Sequence, residues 1–259
     1  MNGPERMIYH LGVEDIEPGK WLAWAFELLG CYAKAASEEE AFAGAQAAIE
    51  EYFFWVARHG RPTPRADQPI EGKVVETYRS FVSEGDYIVN AFFEDDRRPL
   101  SGAEVGEGIW LLGCTRRDLM ELIRDIPPER FTEPIRDDVF GSIEKIVEHV
   151  ATAEWWYFDR LGMAFPRDQM PEGLAGKLEK VRAQTVALLP ALVDDSRVVE
   201  RRGEKCAGVG HRDAPRRVRQ SSRAGAPGLP GGERGLCWMP AQDCEKWIVR
   251  MVRYGEEKD

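Results

Sequence analysis

Histidine and cysteine are the side chains best able to hold a metal or supply a nucleophile, and this chain uses them sparingly. There are four histidines, His10, His59, His149 and His211, and five cysteines, Cys31, Cys114, Cys206, Cys237 and Cys244. His149 stands out because it lies in an amphipathic segment, 142–161, about 60° from the centre of the apolar stripe at 100° per residue. That position is the edge of a groove between helices. A lone histidine on a helix is by itself more often structural than a ligand, but a neutral imidazole at a groove edge can also hold a metal that a facing helix meets. A metal with an open position lowers the pKa of what it binds and makes a nucleophile near neutral pH. Glu154, further along the same segment, is the second candidate, either as a carboxylate that orients a ligand or shuttles a proton, or as an ordinary one at the surface or groove edge.

The other candidates read as structural. His59 falls at the end of a helical stretch, where a cationic side chain suits the macrodipole. Glu38, Glu39 and Glu40 suit a helix start for the same reason. Cys31 beside Gly30 reads as a small packed hydrophobe. An odd number of unevenly spread cysteines does not make a disulfide framework. Cys206, His211, Cys237 and Cys244 have spacings that match no familiar zinc module. No residue is singled out as catalytic.

Two blocks would position these residues. The first, 1–97, reads strand, strand, helix and further strand material. Met7 to Leu11 is rich in strand formers, and 20–36 reads as strand, turn near Gly30, strand. Ser37 followed by Glu40 forms a capping box. Ala41, Phe42, Ala45, Ile49, Tyr52, Phe53 and Val56 make one helical stripe, which ends near His59 and Gly60. Val74 to Val82 and Tyr87 to Phe93 supply strand material. After a charged, glycine-containing stretch the second block, 98–200, carries three amphipathic helices: 109–126, 142–161 and 174–193, with Pro190 kinking the last. Three such helices leave a groove that a fourth normally closes.

The text then changes. Residues 201–243 hold nine Lys and Arg against four Asp and Glu, whereas 1–200 hold 22 against 37. Glycine and proline interrupt this segment too often for a helix. Two accounts fit it: a natural basic tail able to touch nucleic acid or an acidic partner, and a GC-rich gene read out of frame. Residues 244–259 suit one short helix. An unclosed apolar groove predicts a homodimer, weak stability or aggregation. The net charge of −10 argues against wholesale nucleic-acid binding outside 201–243. With 43% hydrophobic residues a sizeable core is feasible. No apolar run is of membrane-spanning length, and the start lacks a signal-peptide core, which predicts a cytoplasmic protein with no membrane partner.

Two resemblances sharpen these expectations. LLGCYAKAASEEEAFAGAQAAIEEYFFWVARHG resembles the HicB-like family of small αβ modules, related to a partial RNase H fold and often antitoxins. Leu29 stands where that family often has proline, and no carboxylates in the block pair convincingly for two-metal nuclease chemistry. WLLGCTRRDLMELIRDIPPERF, GSIEKIVEHVATAEWWYFDRLG and GLAGKLEKVRAQTVALLPAL together resemble the DinB-like superfamily, which includes thiol-dependent transferases. The second resemblance implies an up-down four-helix bundle. It also implies a divalent metal, zinc or nickel, with His149 as one of three histidine ligands and a small-molecule thiol or other substrate. The other two ligands would come from an H-x-x-x-H pair on a fourth helix, and this sequence contains no such pair. The expectation is therefore an α+β chain: a HicB-like domain, then a DinB-like bundle whose fourth helix is degraded or missing. Its function is that of a divalent-metal-binding, thiol-dependent transferase or hydrolase with an incomplete site. The alternative is a non-catalytic binding or regulatory protein with the bundle as scaffold.

Overall fold

The computed structural model describes residues 6–65, 67–82, 88–89, 91, 93–135 and 140–195. The segments 201–243 and 244–259, with Cys206, His211, Cys237 and Cys244, lie outside the described residues. The fold is mixed α+β and divides into two units that meet between Arg98 and Pro99.

The first unit is built on a four-stranded sheet of order β3-β2-β1-β4. Strand β1 (Met7–Glu17) pairs antiparallel with β2 (Lys20–Ala25), which pairs antiparallel with β3 (Tyr32–Ala35). β1 runs six residues past the expected Leu11. The two residues between β1 and β2, Pro18 and Gly19, form the turn, with Gly19 at a φ of 76° that suits glycine. Helix α1 (Glu38–Arg58) then crosses over to β4 (Ile70–Arg79), which lies parallel to β1. A parallel neighbour requires such a crossover. Two-residue strands β5 (Phe81–Val82) and β6 (Ile88–Val89) pair with each other.

Ser37 caps α1 by accepting from the Glu40 N–H at 3.2 Å. The return bond of the expected capping box is displaced by one residue, because Glu40 accepts from Ala36 N–H instead. α1 buries Ala41, Ala45, Ile49, Tyr52, Trp55 and Val56. Trp55 belongs to this face although the expected stripe omitted it, whereas Phe42 remains 43% exposed. Tyr9 of β1 meets Phe53 of α1 with ring centroids 5.9 Å apart. On the opposite face of β1, Gly12 lies beneath Phe26 and Phe93, whose rings are 5.2 Å apart.

The second unit holds α2 (Gly102–Arg124), the short α3 (Pro128–Thr132), α4 (Ile143–Arg160) and α5 (Leu174–Leu188). α2 begins seven residues before the expected start because Ser101 and Glu104 form a full capping box, each satisfying the other's backbone N–H. α5 stops at Leu188, and Leu189–Leu192 continue as a 3-10 turn containing Pro190, which cannot donate an α-helical hydrogen bond. The unit is closed by a parallel bridge between Leu100 and Val193, with Asp194 N–H donating to Leu100 C=O at 2.9 Å. Two apolar clusters form its core. One is Leu119, Ile143, Val147, Ala151 and Leu178; the other is Leu100, Val105, Phe158, Leu189 and Leu192. No helix among the described residues is long and apolar enough to cross a membrane.

Candidate functional site

The buried face of α4 is set by helical spacing. Val147, Ala151, Glu154 and Phe158 recur at intervals of four, three and four residues, so a carboxylate occupies a core position between the two apolar clusters. Arg116 takes the equivalent place on α2, three residues before Leu119. Arg182 takes it on α5, between Leu178 and Thr185.

The three charges converge. Arg182 Nε donates to Glu154 Oε1 at 2.7 Å, and its Nη2 donates to Oε2 at 3.0 Å. Arg116 Nη2 donates to the same Oε2 at 3.1 Å. Each guanidinium also caps a backbone carbonyl on a neighbouring helix, Arg116 to Leu178 and Arg182 to Leu112. The arginine and glutamate side chains are only 11–15% exposed. Two cations against one carboxylate leave an excess of one positive charge. Burial, and then the neighbouring Arg182 charge, pushes the Arg116 pKa down to about 10 against the opposing pull of Glu154. Arg116 stays protonated at neutral pH. Its Nε is buried with no hydrogen-bond partner among the described residues. The network fastens three helices at one level, and both oxygens of Glu154 are engaged by guanidiniums.

His149 sits elsewhere on α4. Five residues separate it from Glu154, a turn of about 140° at 100° per residue. Its ring lies against Phe140, with centroids 4.7 Å apart. Burial lowers its pKa, so the imidazole is neutral at pH 7, the form in which histidine binds metals. Beside it, Glu148 on α4 is bonded to Lys177 on α5. The described contacts therefore do not bring His149 and Glu154 into one site. Among the described residues, no three His, Cys, Asp or Glu side chains are grouped to hold a metal ion. Among the described residues of the second unit His149 is the one histidine, which does not fill a three-histidine centre. Cys114 is buried on α2, and Cys31 is buried in the first unit.

The first unit holds a charged group that the sequence reading did not single out. Glu14 on β1 is 2% exposed. It accepts from Ser80 Oγ at 2.7 Å, Ala91 N–H at 3.0 Å and Trp24 Nε1 at 3.3 Å. These bonds join β1 to β2, to the end of β4 and to the chain beyond it. His10 is exposed and bonded through Nδ1 to Glu27 at 2.6 Å. His59 caps α1, its ring 4.5 Å from that of Trp55.

The available sequence signal for Arg116, Glu154 and Arg182 was charge inside an apolar stripe: each falls at a core spacing from buried aliphatic residues. The chain matches no family model, no curated protein and no solved structure.

Proposed function

We propose that the second unit is a DinB-like bundle, descended from divalent-metal-binding, thiol-dependent transferases or hydrolases, whose metal site is incomplete in this chain. One observation carries the reading. His149 is a neutral, half-buried imidazole on α4, where the resemblance puts a metal ligand, and the sequence has no H-x-x-x-H pair to complete the set. The preceding HicB-like unit, with strands followed by a helix and a further strand, accompanies it as a second module. A small-molecule thiol is the substrate class that goes with this ancestry. The reading also carries a cytoplasmic location, a homodimer formed through the unclosed groove, and nucleic-acid contact confined to 201–243.

A second reading is a non-catalytic binding or regulatory protein with the bundle as scaffold, and a different observation favours it. Bundle active sites are built in the core from side chains on facing helices. Here Arg116, Glu154 and Arg182 fill such a place, and Glu154 is committed to the two arginines.

Metal content of the purified protein, measured by mass spectrometry beside that of His149→Ala, separates the two. Stoichiometric zinc or nickel that disappears in the variant upholds a metal site. Absence of metal from both proteins means that this chain has lost the chemistry of that ancestry and acts as a scaffold or binding module.

A further inference from the structure

Strand β4 is the ten-residue outer strand of the sheet, bonded on one side to β1. An outer strand of this length presents a row of backbone donors and acceptors to a further strand. Val74 and Val75 at its middle are 37% and 47% exposed. The opposite edge, β3, is only four residues long.

The register of β4 contains an irregularity with a specific consequence. Leu11 lies opposite Val74, but the next residue, Gly12, lies opposite Glu76, so Val75 is an extra residue, a β-bulge. Before the bulge Lys73 lies opposite His10, and after it Glu76 lies opposite Gly12. His10 and Gly12 are two apart on β1 and point to the same face. Lys73 and Glu76, three apart in sequence, therefore share that face as well.

This decides which strand can pair with β4. Two copies of β4 related by a two-fold axis run antiparallel, and opposed residues must point to the same side of the joined sheet. In an unbroken strand, that condition forbids placing Val74 opposite Val75 of a second copy. With the bulge it is met on both sides of Val75, where residues 70–73 stand opposite residues 76–79 of the second copy. In this register, Lys73 stands opposite Glu76 of the second copy, and the symmetry repeats the pair. Cross-strand pairs of opposite charge stabilise a sheet, and like charges directly opposed destabilise it. Sliding the register by two residues toward the N-terminus opposes Glu71 to Glu76 instead.

We propose that β4 is a self-pairing edge: a second copy of this chain adds antiparallel to it, centred on Val74 and Val75, with Lys73 and Glu76 exchanged across the two-fold axis to form an eight-stranded sheet. The strand belongs to the first unit, and His149 belongs to the second.

The test is the oligomeric state of the full chain by sedimentation velocity, for the wild type, Lys73→Glu, Glu76→Lys and an equimolar mixture of the two variants. Lys73 is exposed, whereas Glu76 is half-buried and its Oε2 accepts from Glu94 N–H at 2.8 Å, so circular dichroism checks that both variants keep the fold of the unit. The expected result is a dimer for the wild type and monomers for each variant alone. Mixing should restore the dimer, because the carboxylates of one variant then face the ammonium groups of the other. A wild type that stays monomeric at every concentration overturns the proposal, with the bulge and Lys73 then serving to protect the edge. So do single variants that dimerise as well as the wild type, or a mixture that stays monomeric.

Discussion

Arg182 and Glu154 form a fork-to-fork pair between α5 and α4, with Nε to Oε1 at 2.7 Å and Nη2 to Oε2 at 3.0 Å, inside a helical core. Planar bidentate geometry is the strong form of the arginine–carboxylate interaction. The pair does not stand alone, since Arg116 reaches the same carboxylate from α2. Transfer of three charges from water is costly, and mutual attraction offsets it only when the remaining donors are satisfied. Most of them are, through the carbonyls of Leu112 and Leu178, while Arg116 Nε is left over.

Removing the carboxylate alone should therefore be severe. Glu154→Ala strands two buried guanidiniums and is expected to cost about 3–5 kcal/mol. Replacing the whole network with Arg116→Met, Glu154→Leu and Arg182→Met removes the desolvation cost together with the attraction. That variant is expected to match the wild type or exceed it by up to about 4 kcal/mol. Urea denaturation followed by far-ultraviolet circular dichroism compares the three proteins. A Glu154→Ala chain as stable as the wild type would show that the network contributes nothing.

His149 gives a pH dependence whose direction follows from burial. Burial lowers its folded pKa below the ordinary 6.5, so the unfolded chain binds the proton more readily. Stability from this group is present above the unfolded value and is lost as pH falls through 6.5 toward the folded value. Replacing the imidazole with an uncharged side chain, His149→Gln, should flatten this part of the profile. The measurement is the difference in unfolding free energy between the two proteins from about pH 7 to about pH 5, a window bracketing the unfolded histidine pKa. Parallel profiles would refute a desolvated imidazole at this position.

Helix cores and caps were the most legible part of the fold, because they depend on residues close in sequence. Ser37 marks the start of α1, and Ile143, Ile146 and Val147 of the expected second stripe are buried in α4. What depends on distant neighbours was not legible. The bulge at Val75 exists only in relation to Leu11 and Gly12, which are more than sixty positions away. Glu14 lies beyond the expected end of the first strand at Leu11, and nothing marks it out until Ser80, Ala91 and Trp24 close around it. For the candidate site, the sequence pointed to His149 as a metal ligand and to Glu154 in the same site, orienting a ligand or shuttling a proton. Helical geometry turns them apart, and the partners of Glu154 come from two other helices. A single helix shows that a charge lies in its apolar stripe, but not what neutralises it.

Gly12 offers the sharpest test of packing in the first unit. A Cβ added there would lie 2.5 Å from Phe26 Cζ, 2.6 Å from Phe26 Cε1 and 2.9 Å from Phe93 Cε1. Real Cβ atoms do not approach so closely, so the rings would have to move. Phe26 and Phe93 are 7% and 1% exposed and pack against each other, which leaves them little room to yield. Gly12→Ala is therefore an overpacking substitution, expected to cost about 1–3 kcal/mol. Because the displaced ring is itself the obstacle, Phe26→Leu in the same chain should recover part of the loss, although Phe26→Leu alone destabilises. Thermal unfolding of the single and double variants measures the coupling. Additive losses would mean that the backbone at Gly12, rather than the Phe26 ring, absorbs the added methyl group.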